Sequence, residues 1–343
     1  MATDSRERGG GTMAGFLLRR LLNYLVLIVV ATSLAYMLAA AALDPRSNYE
    51  GRNPPIPPAV IDARLTELNL NDRTPLTQRY LTWAGDVVRG DFGKSVTGGS
   101  VSEDLGRRVG VTLRLITIGL VLGSVAGVSV GAYAAVRQYG AFDRLSTGAS
   151  FVVLAVPTVV LANILIIAGV WLNGLFGAQI FLVSGEATPG LPGGLPAQVV
   201  DRLQHLILPT LSLSLGLVAV YSRYQRNMML DVLGADFIRT AMAKGLRRRT
   251  ALIRHALRTA LIPAVTYFAF TFGALLVGTT FTEKIFGWHG MGEQLVNSIA
   301  TNDVNTVAAI SCFAALAVLA ASLASDVLHA VLDPRVRVGG ARR

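Results

Sequence analysis

Asp236-Phe237-Ile238-Arg239-Thr240-Ala241-Met242-Ala243-Lys244-Gly245-Leu246 lies between two strongly apolar runs, residues 206–222 and 259–282. Asp236 is a candidate cap for a helix start, Ala241 and Ala243 favour the helix itself, and Lys244 suits the negative end of its dipole. Gly245 suits the end, because a residue without Cβ adopts a positive φ at little cost. Thr240, Ala241 and Ala243 leave a thin face that another protein could approach closely. A short helix of this kind, displayed on the charged side of an apolar chain, is suited to being gripped.

The rest of the chain sets that helix in a membrane. Hydrophobic residues make up 52% of the sequence and charged residues 15%, far from the balance of a soluble domain. A soluble chain of 343 residues divides into two or three domains, but long apolar segments override that expectation. Six spans are predicted at 21–43, 115–136, 145–172, 206–222, 259–282 and 304–325. Five are long enough to cross a hydrocarbon layer of about 30 Å as helices, and the fourth is marginal. Lipid cannot satisfy a free backbone, so their interiors must be helical. Pro157 predicts a kink in the third. Residues 173–185, which carry no charge, extend that helix, re-enter, or run along the interface. Residues 1–12 are polar and glycine-rich and read as disordered, with Met13 a second candidate start. The first span exceeds the usual core of about 7–15 residues in a cleaved signal and reads as a retained helix.

Basic residues orient the chain. Residues 223–258 carry Arg223, Arg226, Arg239, Lys244, Arg247, Arg248, Arg249, Arg254 and Arg258 against Asp231 and Asp236, most of the chain's net charge of +10. The positive-inside rule then places this loop, both termini and the 137–144 turn in the cytoplasm. The same rule accounts for the basic loop without a nucleic-acid partner. The long segment 44–108 faces outward. Its Pro54-Pro55 and Pro57-Pro58 stiffen the start. Ile61, Leu65 and Leu68 recur at helical spacing, as do Tyr80, Trp83, Ala84, Val87 and Val88, predicting short helices that cap the outer mouth or lie at the interface.

The sequence lacks the constellations of an enzyme. It has no Gly-x-Ser-x-Gly, no paired carboxylates on one helix face and no His-Glu-x-x-His. His205, His255, His289 and His329 are scattered, and Cys312 is the single cysteine, so no intrachain disulfide forms. Gly90-Asp91-Phe92-Gly93-Lys94-Ser95 ends like a phosphate-binding loop, but Val88 stands where the first glycine belongs and an amphipathic helix replaces the buried strand. Arg114, Glu283, Lys284 and Asp326 fall near span ends, where they snorkel or meet water, leaving a charge-poor interior. Ion-coupled transport favours ionisable groups nearer mid-membrane.

Several runs resemble the permease subunits of binding-protein-dependent ABC importers, specifically the B-type subunit of oligopeptide and dipeptide importers. Arg239-Thr240-Ala241, three residues, then Gly245 is similar to the EAA loop, in the Arg-Thr-Ala form of the peptide branch. Met242 stands where that branch usually has Arg, and Leu261-Ile262-Pro263 stands late for the closing Leu-Pro. The Gly90–Ser95 run, Leu208-Pro209, Arg226–Leu233, Glu283–Gly292 and Asp326–Arg337 follow in the branch's order, so the resemblance spans residues 17–337.

This resemblance implies an all-α membrane protein of six transmembrane helices with the type I importer permease (MetI-like) fold. Its expected parts are a disordered extension at 1–12, a first helix at 13–43, an extracytoplasmic helical segment at 44–108, a five-helix core at 109–337 with the coupling loop at 223–258, and a tail at 338–343. The implied function is half of a peptide translocation pathway in the bacterial inner membrane. Asp236, Arg239, Thr240, Ala241, Met242, Lys244 and Gly245 are the implied contacts to an ATPase. Residues 250–261, rich in helix formers, are the expected joint to the fifth span. The implied partners are a homologous C-type permease, two ATPase subunits that bind ATP and magnesium, and an extracytoplasmic peptide-binding protein. No catalytic, metal or cofactor site is expected in this chain.

Overall fold

A computed structural model describes residues 13–51 and 53–332. The readings placed on residues 1–12 and on the tail 338–343, and the end of the Asp326–Arg337 run, lie outside the described residues. In chain order the helices are α1 (Met13–Ala42), α2 (Pro58–Glu67), α3 (Leu76–Val88), α4 (Val101–Val136), α5 (Ala141–Ala155), α6 (Thr158–Phe176), α7 (Gly194–Leu233), α8 (Asp236–Ala243), α9 (Arg248–Ala251), α10 (Arg258–Ile285), α11 (Met291–Ala300) and α12 (Val304–Leu332). A 3-10 turn, Pro45–Tyr49, follows α1, and a π-helical turn, Leu252–Leu257, joins α9 to α10. Among the described residues the chain is otherwise helical or irregular, with an isolated β-bridge between Lys94 and Ser100. Among the described residues, six segments are long and apolar enough to cross a membrane: Arg20–Ala42, Val101–Val136, Thr158–Phe176, Gly194–Leu233, Arg248–Leu276 and Val304–Val327.

Several of these helices outrun their apolar stretches. At 36 and 40 residues, α4 and α7 extend to roughly 54 and 60 Å, about twice the hydrocarbon thickness. The predicted second span and core boundary at 109 therefore fall inside α4, which starts at Val101, where Ser100 caps it by accepting from the Glu103 N–H at 3.4 Å. The marginal fourth span is the middle of α7. The third span is corrected: at Pro157 the helix breaks rather than kinks. A residue before proline is pushed out of the helical region, and Val156 is extended at φ −87° and ψ 123°. Of the two pieces, α6 is the crossing helix. It does not continue through 173–185, because Gly177 at φ +62° ends it. The chain then folds back, with the Asn173 side-chain oxygen accepting from the N–H groups of Ile180 and Phe181, both at 2.9 Å.

The centre of the fold is the pairing of α4 with α7. Gly119, Gly123, Gly127 and Gly131 recur every fourth residue and form one bare stripe on α4. A Cβ built on them would lie 3.2 Å from Leu213 Cβ, 2.6 Å from Leu217 Cβ, 2.6 Å from Tyr221 Cβ and 2.2 Å from the Ser222 carbonyl oxygen. Lipid offers little hydrophobic force between helices, so close backbone approach and dispersion must hold them. The Ser214 hydroxyl adds a hydrogen bond to the Gly119 carbonyl at 3.1 Å. On the far side, α12 packs against α10 and α1. Near the start of α1, Arg20 pairs with Asp326 at 2.8 Å and the Tyr24 hydroxyl donates to the same carboxylate at 2.7 Å. Asp326, its side chain 20% exposed, is thus met by donors from its own chain.

The segment between α1 and α4 packs onto the end of α1 and the start of α12. Leu65, Leu68 and Leu70 are buried with Tyr36, Trp83, Val304 and Ala308, and the Tyr36 and Trp83 rings stack at 4.6 Å. Asn305 of α12 donates to the carbonyls of Leu68 and Lys94 at 3.0 and 2.9 Å. In the Gly90–Ser95 run, both glycines have φ near +85°, and Lys94 donates to Glu67 at 3.0 Å. These residues turn the chain from α3 into α4. Val88, placed on the apolar face by its spacing, is instead exposed.

Gly131→Ala should force α4 and α7 apart, at a cost of about 1–3 kcal/mol. Gly106→Ala, where the new methyl meets nothing within 4 Å, should be neutral or slightly stabilising. Thermal unfolding of the two purified variants in detergent checks the contrast.

Candidate functional site: the α8 helix and its turn

At the end of α7 remote from the 177–193 segment, the chain builds a small platform. Leu233 ends α7, Gly234 and Ala235 make the bend, and α8 follows with Ala235 as the residue flanking its start. Asp236 is the first helical residue and makes no side-chain cap bond. This corrects its reading as a cap: its charge lies against the positive end of the helix instead. Arg239 lies 4.0 Å from it, a loose, exposed ion pair worth little. Thr240 returns its hydroxyl to the Asp236 carbonyl at 2.9 Å.

The far end of α8 is closed by two backbone bonds. The Gly245 N–H reaches the Met242 carbonyl at 3.0 Å and the Leu246 N–H reaches the Ala241 carbonyl at 3.2 Å. This is the Schellman arrangement, which needs a left-handed residue at the position of Gly245, whose φ is +89°. Lys244 precedes it, exposed at the negative end of the helix.

The faces of α8 divide sharply. Ile238 and Ala241, three residues apart, turn inward at 2% and 8% exposure. Ile238 joins a cluster with Met229 of α7, Ala135 of α4, and Ala256 and Ala260 of the π turn and α10. Asp236, Phe237, Arg239, Thr240, Met242, Ala243, Lys244 and Gly245 are exposed. The structure thus keeps six of the seven sequence-assigned residues together on one accessible surface, while Ala241 faces its own chain. Phe237, not singled out from the sequence, adds an exposed aromatic ring to that surface. Beside α8 a cavity of about 680 Å³ is bounded by Arg137, Gln138, Leu233, Met242, Arg248 and Leu252.

Two features anchor this platform. Arg226 of α7 binds Asp143 of α5 through two bonds, of 2.6 and 2.9 Å, and the Tyr139 N–H donates to the same carboxylate at 2.8 Å. The Arg226 hydrogen bond, with that backbone bond, holds the Asp143 carboxyl below the usual carboxylate range despite its burial. Asp143 and Arg226 lie 83 residues apart, and no local spacing announces the pair. The other anchor is the π turn, which replaces the expected regular joint at 250–261. Pro263 follows within α10, so two departures from α-helical bonding fall within two turns. Among the described residues no three His, Cys, Asp or Glu side chains converge to hold a metal.

The chain was compared with known proteins. The model of the family described as "Binding-protein-dependent transport system inner membrane component" matches residues 127–338. The chain is similar to the oligopeptide transport system permease protein OppB of Mycobacterium tuberculosis (strain H37Rv), with 54% identity over 326 residues, 95% of this chain and 100% of the relative. It is 33% identical to the oligopeptide transport system permease protein AppB of Bacillus subtilis, covering 94% and 99% of the two chains. It is 31% identical to the glutathione transport system permease protein GsiC of Shigella flexneri, covering 95% and 99%. Among solved structures, an inward-facing form of the MetNI methionine ABC transporter matches with a TM-score of 0.50 at 18% identity, over 67% of this chain and 96% of that one. That likeness supports the type I importer permease fold.

A side chain at residue 245 meets nothing within 4 Å, so the φ of +89° alone decides the cost. Gly245→Asn, which tolerates the left-handed region, should keep α8 close to native stability. Gly245→Val should destabilise the turn by about 1–2 kcal/mol. Hydrogen exchange of the Leu246 amide, bonded only through this turn, should rise in the valine variant and stay near the parent value in the asparagine variant.

Proposed function

This chain belongs to the family of binding-protein-dependent transport system inner membrane components, and we propose that it is the B-type permease subunit of an ATP-driven importer of oligopeptides or dipeptides. The observation that carries the cargo reading is the end-to-end likeness to oligopeptide permeases, among them the Mycobacterium protein at 54% identity. The glutathione permease among the relatives keeps a peptide-like cargo in view. A permease for another small cargo such as nickel, or an ion-coupled secondary transporter, is the alternative.

In this reading the chain forms half of the translocation pathway beside a homologous C-type permease. Two ATPase subunits, carrying ATP and magnesium, bind the cytoplasmic platform, and a peptide-binding protein docks outside. The strongly basic stretch around α8 supports a cytoplasmic platform, with both termini on the same side. Phe237, Thr240 and Ala243 present one apolar and two small side chains to an ATPase groove. Because Ile238 seats α8 in one cluster with α4, α7 and α10, displacement of α8 by an ATPase is carried into those spans rather than absorbed at the surface. The motion alternates access between the two faces. This chain supplies the path and the lever, and its partners supply the energy.

Cysteines placed at Thr240 or Ala243 should cross-link to an ATPase subunit, whereas cysteines at Thr188 or Asn302 should not. Labelling of residue 240 by an impermeant reagent from outside intact cells would reverse the proposed orientation.

Reconstituted with its second permease, ATPases and binding protein, the chain should import peptide only with ATP and magnesium. Proteoliposomes holding this chain alone should show no uptake under a proton or sodium gradient. Concentrative uptake there would sink the ABC-importer reading in favour of the secondary transporter.

A further inference from the structure

Glu283 was expected near a span end, in reach of water. It is instead fully buried, at 0% exposure, where α10 gives way to the elbow leading into α11. Its two oxygens are both occupied. The Thr112 hydroxyl of α4 donates to Oε1 at 2.6 Å, and the Gly292 and Glu293 N–H groups at the start of α11 donate to Oε2 at 2.9 and 3.1 Å. Thr112 is itself bound from α11, accepting the Met291 N–H at 2.8 Å. One carboxylate and one hydroxyl thus tie α4 to the consecutive helices α10 and α11, with Thr112 and Glu283 171 residues apart.

The surroundings are shaped to this contact. A Cβ on Gly290 would lie 2.5 Å from the Glu283 carboxylate, and one on Gly292 would lie 2.6 Å from the Thr280 hydroxyl. Phe286 and Trp288 of the elbow are buried against Val111 and Leu115 of α4 and Leu208 of α7. Met291 is buried with Val101 and Leu105 of α4, and with Ala309 and Ile310 of α12. Arg108 of α4 donates to the His289 carbonyl at 3.2 Å.

Separating these three helices would strand a buried carboxylate and its four donors, three that meet it directly and the Met291 N–H that meets it through Thr112. Removing partners from a buried charge is among the costliest changes a fold can undergo. We propose that Glu283 is a positioning residue that binds the end of α10, α11 and the adjacent part of α4 into one rigid body throughout the transport cycle. The motion that alternates access then passes around this body and not through the Thr112–Glu283 contact. The inference rests on the importer reading above and adds to it which parts of the chain move together.

The test uses the full complex of both permeases, ATPases and binding protein, with spin labels at Arg107 of α4 and Ile299 of α11, both exposed. Peptide uptake by the labelled complex is measured first and bears on the importer reading; the label distances bear on the rigid body. The distance should be the same in the nucleotide-free and ATP-trapped complexes. Thr112→Val keeps the side chain's shape but removes its hydroxyl. It should split the distance distribution in an ATP-dependent way and lower peptide imported per ATP by about tenfold, as loss of a charge-assisted buried hydrogen bond implies. Thr112→Ser should restore both readouts, and Glu283→Gln should resemble Thr112→Val. A shift of the parent distance between the two states overturns the proposal, and so does parent-like coupling in Thr112→Val. The parent measurement decides even where a variant fails to fold.

Discussion

The close approach of α4 and α7 is the constraint on which the rest of this structure depends. Both helices are long, and their contact runs from Gly119 against Leu213 to Gly131 against the Ser222 carbonyl. In lipid, no hydrophobic force distinguishes a helix from its surroundings, so such a seam holds only through the fit of its surfaces. Once it is fixed, α4 becomes a spine with an anchor toward each end, one polar and one apolar. Thr112 ties it to α10 and α11 near one end, and near the other Ala135 joins the cluster that seats α8. The other helices attach to this pair: α5, α6 and α10 against α7, α12 against α10, and α1 against α12. The site at α8 is thus the far end of a rigid central element rather than an independent loop.

The same economy governs the buried charges. Asp143 is paired with Arg226, Asp326 with Arg20 and Tyr24, and Asp303 accepts from the Thr306 N–H and hydroxyl as well as the Val96 N–H. Each acceptor bridges segments distant in sequence or starts a helix. A charge taken out of water must be met by donors, so each of these residues dictates which elements lie beside it. Polar groups that are few in composition therefore fix the assembly of helices that apolar contact alone would leave free to rotate.

The spans were legible because lipid imposes one rule, and long charge-free runs can satisfy it only as helices. The Gly245 turn was legible because a positive φ leaves a single-residue signal. The ends of the long helices were not. Glu103, Arg107 and Arg108 read as the end of the outward-facing segment at 44–108, yet they belong to α4, because Val101 and Leu105 pack against Met291, Ala309 and Ile310. The inward turn of Ala241 was written in its spacing from Ile238, but the thin face drew attention to the small side chains instead. Burial of Glu283 could not be read from its place at a span end, because it is created by the chain folding back through 286–292. The glycines at 290 and 292, whose missing Cβ atoms make room for it, were the local trace.

The π turn at Leu252–Leu257 changes how the end of the protein around α8 is aimed. Such a turn holds one residue more than the α-helical path needs, and each residue of an α-helix advances the side-chain direction by about 100°. The faces of α9 and of α10 are therefore out of phase by about that angle, although they share one rod. A helical wheel drawn straight through 248–276 assigns the wrong faces to one side of the turn. The excess residue acts as a setting for compass heading: it fixes where Arg248 and Arg249 point relative to the seam, and because Ala256 of the turn shares a cluster with Ile238, it sets the seat of α8 as well. Losing or gaining a single residue in that turn would swing this heading by a third of a revolution or less and would disturb that seat.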